Sequence, residues 1–154
     1  NADCDFSYRH SFFKTHPEWI ILTSRCHLDI GDRFESERLI EQTIAERERR
    51  HLQNVRAAGS FFMNPVAPRA VQELFEEEKK AQAREGRVPA GWLIEKAGMK
   101  GARVGGAIAS LQHADYIVNE SNATAEDVRN LATLVRKKVR AQFGIILQEE
   151  VMTF

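Results

Sequence analysis

The chain has 154 residues, 43% hydrophobic and 29% charged, with Lys+Arg 22 balanced by Asp+Glu 22. That is enough for one globular domain of ordinary size and too little for two large ones, and it is neither a disordered nor a collagen-like composition. A formal net charge of zero lacks the basic excess of a nucleic-acid or anionic-membrane binder, and the longest apolar run, Trp19 to Leu22, falls far short of the ~20 residues that span a bilayer.

Cys4 and Cys26 give neither a disulfide framework nor a metal-ligand spacing, and a reducing cytosol fits them. The chain opens Asn1-Ala2-Asp3-Cys4 with no Met and no secretory leader, which reads as a piece of a longer protein. Residues 1–16 mix aromatic and polar side chains and read as extended structure with turns. Glu18 to Ile30 is rich in β-branched residues and predicts a strand, broken at Gly31-Asp32. From about Asp32 to Leu52 the spacing predicts a helix, with Phe34, Ile40, Ile44 and Leu52 on one face and a Glu46–Arg50 pair. Its ERERR run is the ordinary pattern of a solvated helix face.

Ala57 to Pro65 cannot be a regular helix. Arg69 to Arg84 predicts a second helix, with Val71, Leu74 and Phe75 inward, Pro68 in the first turn and Gly86 at the end. Pro89 to Lys96 predicts a short helix closed by Gly98. Ala102 to Ser110 holds apolar runs split by Gly105-Gly106, and Tyr116 to Val118 predicts a short buried strand. Thr124-x-x-Asp127 starts a helix like a capping box. Val128, Leu131, Val135, Val139 and Phe143 continue it, and Gly144 stops it. Ile145 to Leu147 and Val151 to Phe154 are predicted as closing strands. The order predicts an α+β fold, a small mixed sheet packed with helices.

Several stretches carry possible chemistry. Arg9, beside Tyr8, offers a planar fork for a carboxylate or phosphate, although a surface Arg needs no such role. Ser60, after Gly59 and before two aromatics, is a hydroxyl held rigidly by packing, in what is otherwise a buried turn. It is not a nucleophile elbow, which requires G-x-S-x-G. Gly98 to Gly106 combines glycines with Lys100 and Arg103, a pattern that admits an anion or simply makes tight turns. It matches neither the dinucleotide fingerprint nor a P-loop. None of His10, His16, His27, His51 and His113 sits at zinc spacing, so no metal site is expected. Glu149 and Glu150 are adjacent on an extended chain and point to opposite faces. One of them can turn toward a site, where burial would raise its pKa and make it an acid.

Taken in order, these blocks resemble one family, the UDP-N-acetylenolpyruvoylglucosamine reductases (MurB), flavoenzymes of peptidoglycan synthesis. Tyr8-Arg9-His10-Ser11-Phe12-Phe13-Lys14 resembles the family's Y-R-D-S-x-F-K. Gly59 to Pro65 resembles G-S-F-F-K-N-P, and Trp92 to Gly106 resembles W-L-I-x-x-x-G-x-K-G-x-x-x-G-G. His113 to Asn119, Asn122 to Val128 and Phe143 to Val151 resemble H-A-x-x-x-x-N, N-A-T-x-x-D-V and F-G-x-x-L-x-x-E-V. His10 stands for the usual Asp and Met63 for the usual Lys, which removes a positive charge at that position.

The resemblance covers the second half of such an enzyme. It implies a remnant of the flavin-binding domain and a connecting helix over 1–55, a substrate-binding domain over 56–144, and a return strand over 145–154. It implies FAD as cofactor, NADPH as cosubstrate, and UDP-N-acetylglucosamine enolpyruvate as substrate, with the N-terminal FAD-binding half as partner and the cytoplasm as location. Ser60 would donate a proton to C2, with Arg9 and Glu150 flanking the substrate carboxylate. Tyr8, Asn64, Lys100 and His113 would be substrate contacts. Most flavin contacts would lie in the other half, leaving the isolated chain inactive. The competing expectation is a non-enzymatic nucleotide-sugar binding module, or half of a split enzyme.

Overall fold

In the computed structural model, which describes residues 2–50 and 55–152, the chain divides into two units, Asn1–Ile44 and Ala45–Phe154. In the first unit the expected extended stretch over 1–16 is more curled than predicted. It holds a 3-10 turn at Ala2–Cys4 and a one-turn helix α1 at Phe12–Thr15. Thr15 Oγ1 donates to the Phe12 carbonyl at 3.0 Å, and the His16 ring stacks on Phe12 with centroids 3.9 Å apart. These local bonds give the backbone an alternative to extension.

The strand predicted over Glu18 to Ile30 is not formed, and no regular element covers those residues. Ile20, Leu22, Leu28 and Ile30 are 81% to 104% exposed. A strand needs a neighbouring strand to take its backbone hydrogen bonds, and the described residues of this unit contain none. Helix α2, Arg33–Arg50, then follows as expected. Asp32 caps it, its Oδ1 accepting from the Glu35 N–H at 2.8 Å. Its apolar face of Phe34, Ile40 and Ile44 is exposed. Glu46 pairs with Arg49; Leu52 and the Arg50 side chain lie outside the described residues.

In the second unit, α3 spans Arg69–Lys79 and α4 spans Ala90–Lys96. Helix α3 ends earlier than predicted, at Lys80 in the left-handed conformation (φ 50°). The Glu76 carboxylate accepts from the Ala83 N–H at 2.9 Å and turns the chain there. Gly86 therefore does not end the helix; its carbonyl instead accepts from Ala67 N at 3.0 Å. Leu74, expected inside, is 55% exposed, while Val71 and Phe75 are buried. Helix α4 closes as predicted: Gly98 N bonds the Glu95 carbonyl and Met99 N the Ile94 carbonyl, each at 3.0 Å. That is a Schellman motif with Ile94 and Met99 as its buried apolar pair.

Strands β1 (Arg103–Val104), β2 (Ala107–Ala109) and β3 (Ile117–Asn119) form an antiparallel sheet in that order, rather than the mixed sheet expected. Helix α5, Ala125–Phe143, starts on the Thr124/Asp127 capping box and lies against β1, β2 and α4. It buries Leu131, Ala132, Val135 and Val139 on one stripe. Phe75 of α3, Trp92 of α4 and Phe143 of α5 are linked by ring contacts with centroids 5.5 and 6.0 Å apart.

After Gly144 the chain is extended, with Ile145 and Leu147 buried and Ile146 outside. No closing strand forms at 145–147. Among its described residues the return segment forms an isolated bridge, Phe62 to Glu149, and no regular strand. Its partner stretch is cut short by Pro65, which has no N–H to continue a ladder. At the other predicted strand, Val151 and Met152 form none, and Thr153 and Phe154 lie outside the described residues. No helix among the described residues is long and apolar enough to cross a membrane.

Candidate active site

The stretch Gly59 to Pro65 is held from both sides. Gly59 turns at φ 87°, a conformation that favours glycine. Ser60 then bridges Tyr116, and Phe61 N donates to the Asp115 carbonyl at 2.8 Å. On the other side, Glu150 N donates to the Phe61 carbonyl at 2.9 Å and Met63 N to the Gln148 carbonyl at 2.8 Å. Phe61 and Phe62 are buried edge-to-face, 5.0 Å apart. The apolar pair thus anchors the backbone, and the hydroxyl of Ser60 is carried on a fixed frame.

Asn64 ends this stretch with two structural bonds. Its Oδ1 accepts from the Ala90 N–H at 2.9 Å, at the start of α4, and its carbonyl accepts from the Arg87 guanidinium at 2.9 Å. A cleft of about 420 Å³ opens beside it, lined by Ser60, Asn64, Lys79, Trp92, His113 and Asp115 among others. Polar groups converge there on an aromatic wall, the usual make-up of a small-molecule site. The His113 ring rests on Tyr116 at 4.6 Å, and Glu95 also reaches the cleft.

Asp115 is a strongly perturbed group. It is 3% exposed, and burial pushes its carboxyl up to about 7. The nearby charge of Glu150 pushes the same way. Hydrogen bonds from the Phe62 N–H (3.0 Å to Oδ1), from the Ser60 hydroxyl and from the Phe61 N–H pull against it. Ser60, Asp115 and Glu150 therefore form one cluster.

Of the residues singled out by sequence, the fold brings Ser60, Asn64 and His113 to the cleft, with Glu150 close to Asp115. Lys100 is not among the lining residues; its Nζ donates to Glu95 Oε1 at 3.0 Å, and Glu95 is. Glu149 is ion-paired with Arg136. Tyr8 and Arg9 belong to the first unit, where the Arg9 guanidinium lies 6.0 Å from the Tyr8 ring centre and Lys14 Nζ donates to the Arg9 carbonyl. His10 pairs with Asp5 at 3.1 Å. The glycines of 98–106 are used in turns: Gly105-Gly106 is the β1–β2 hairpin loop, and a Cβ on Gly106 would lie 2.2 Å from the Ser121 carbonyl.

Sequence reasoning missed Asp115, Lys79 and Trp92 as parts of the site. The available signal for Asp115 was an acid directly preceding the apolar triplet Tyr116 to Val118.

Residues 50–154 match the family model described as UDP-N-acetylenolpyruvoylglucosamine reductase, C-terminal domain. The UDP-N-acetylenolpyruvoylglucosamine reductase of Heliobacterium modesticaldum is 39% identical over 149 residues, 97% of this chain and 41% of that protein. The one from Solibacter usitatus is 34% identical over 151 residues, 98% of this chain and 48% of that protein. The crystal structure of the Thermus caldophilus UDP-N-acetylenolpyruvylglucosamine reductase (MurB) superposes with a TM-score of 0.68 at 28% identity, over 98% of this chain and 46% of that one. The chain thus spans less than half the length of these relatives.

Proposed function

This chain belongs to the UDP-N-acetylenolpyruvoylglucosamine reductase family through that family's C-terminal domain, and we propose that it serves as the C-terminal part of an NADPH- and FAD-dependent enzyme reducing UDP-N-acetylglucosamine enolpyruvate to UDP-N-acetylmuramate. Such an enzyme acts in the cytoplasm, in peptidoglycan synthesis. Residues 1–55 are assigned to the edge of the flavin-binding domain and its connecting helix. Residues 56–144 are assigned to the substrate-binding domain, and residues 145–154 to the return that carries Glu150.

The flavin itself is assigned to the other half of the enzyme. The glycine-rich 98–106 stretch does not fit a flavin diphosphate, because Gly98 and Met99 N–H groups are bonded to α4 carbonyls and Gly106 N faces the Asp127 carboxylate at 3.4 Å. Bound FAD would supply the hydride that reaches C3 of the enolpyruvyl double bond. This chain's residues act on the charge that then develops at C2 and the adjacent carboxylate. Ser60 gives its hydroxyl proton to C2. A serine is a weak acid, so the step relies on a strongly basic carbon and on tight positioning. Arg9 and Glu150 flank the carboxylate, where the Arg9 guanidinium stabilises the enolate-like species. Tyr8, Asn64, Lys100 and His113 contact the substrate.

The observation that carries this reading is Ser60 itself, fixed by backbone bonds on two sides at the wall of a polar–aromatic cleft. The test is complementation. This chain mixed with the flavin-binding half of a family member is expected to oxidise NADPH only when the enolpyruvyl substrate is present, and the chain alone to be colourless and inert. A chain that is yellow and turns over unaided would overturn that division. Calorimetric binding of the nucleotide sugar without reduction, even with the flavin half added, would favour a binding module instead.

A further inference from the structure

We infer that Asp115 is a positioning residue for Ser60, and that its carboxyl must carry a proton for Ser60 to offer its own hydrogen to the substrate. This rests on the reading of Ser60 as proton donor.

The argument begins from a count of hydrogens. A serine hydroxyl has one hydrogen to donate. Ser60 is bridged to Tyr116 beside Asp115, the Phe61 and Phe62 N–H groups tie that stretch to Asp115, and both residues line one cleft, so an ionised Asp115 carboxylate is the acceptor that competes for that hydrogen. While the bond runs in that direction, Ser60 has nothing to give to a carbon in the cleft. When Asp115 is protonated, the direction reverses: the carboxylic O–H donates to Ser60 Oγ, and the serine hydrogen swings free toward the cleft that both residues line. Asp115 has no freedom to move aside. Its Oδ1 accepts from Phe62 N at 3.0 Å, its carbonyl accepts from Phe61 N at 2.8 Å, and a Cβ placed on Gly91 would lie 3.6 Å from its own Cβ.

The surroundings favour the protonated form near neutrality. Burial and the charge of Glu150 on the return segment hold the Asp115 carboxyl at about 7. The other charged or titratable groups facing this region are Lys79 at the end of α3, Glu95 on α4, and His113 on the turn preceding β3. Glu149 is held by Arg136. The charge of Glu150 adds to burial in raising Asp115.

The test uses the complemented holoenzyme, with flavin reoxidation by substrate followed as a function of pH. The wild-type rate is expected to fall about tenfold per pH unit above a break near 7. Asp115→Asn supplies an acceptor for Phe62 N–H and a permanent donor for Ser60. It is expected to stay active and to lose that break. An Asn variant with the wild-type pH profile would overturn the inference. Ser60→Ala separates the two claims. If it is slow while Asp115→Asn keeps the wild-type profile, only the role of Asp115 fails; if Ser60→Ala is fully active, the proton-donor reading fails as well. A carbon-detected NMR titration of this chain alone gives a second readout. The Asp115 carboxyl and the Ser60 Cβ are expected to shift with one common midpoint near 7, and a Ser60 signal that ignores the Asp115 titration would contradict the coupling.

Discussion

A buried acid that stays protonated to near neutrality makes the fold pH-dependent. Asp115 has an ordinary value of 3.8 and is pushed to about 7 in the folded chain. Between those values the folded state holds a proton that the unfolded state has released, so stability falls as pH rises through the window and levels off above it. The full effect is at most on the order of 4 kcal/mol, from ~1.4 kcal/mol per pH unit. We predict that urea midpoints of the wild-type chain drop between pH 5 and pH 8, and that Asp115→Asn flattens the drop. Equal midpoints in the wild type at the two pH values would contradict the buried neutral acid. At this scale Ser60, Asn64 and Glu150 were legible because each sits in a motif of several residues. Asp115 was not, since its burial is made by segments some fifty residues before it and thirty-five after. Its one local sign, an acid directly before a short apolar triplet, does not specify those distant contacts.

The elements divide along the same line. Helix α5, its capping box and the Gly-closed end of α4 rest on contacts a few residues apart, and the sequence states them directly. The strand expected over 18–30 and those at 145–147 depend on a partner edge, which no local pattern specifies. The β1–β2 hairpin gives a sharp test. At Gly106 an added Cβ meets backbone atoms, the Ser121 carbonyl at 2.2 Å and Ala123 N at 2.5 Å. Gly106→Ala is therefore expected to cost about 3 kcal/mol or more, by forcing the 121–123 turn away. Gly98 is at φ 69° with open space around it, so Gly98→Ala should cost only the left-handed strain of about 1–2 kcal/mol. Thermal or urea unfolding of the two variants side by side checks the order; a Gly98→Ala loss equal to that of Gly106→Ala would refute it. Thr124→Ala, which removes one half of the capping box, is expected to cost about 1 kcal/mol.

On the scale of the molecule, length and neutral charge describe a single small domain, whereas the family match is to a C-terminal domain and the chain spans 48% and 41% of the two relatives compared. In the first unit the exposed apolar surface is extensive. Trp19, Ile20, Leu22, Leu28, Ile30 and Phe34 are each more than half exposed, an apolar display larger than isolated surface residues account for. We predict that adding the flavin-binding half shifts Trp19 fluorescence to the blue and slows amide exchange over 18–34. Unchanged exchange in an active mixture would mean that this face stays open to solvent. The zero net charge remains compatible with the proposed anionic nucleotide sugar, for which the proposed contacts Arg9, Asn64 and His113 would be local donors. The central claim, that Ser60 supplies the proton, is tested most directly by rapid mixing of the complemented enzyme carrying Ser60→Ala. The variant is expected to take up reducing equivalents from NADPH at the wild-type rate and to return them to the enolpyruvyl substrate some 10²–10³ times more slowly, the usual loss of one preorganised donor; reoxidation by substrate at the wild-type rate would contradict it.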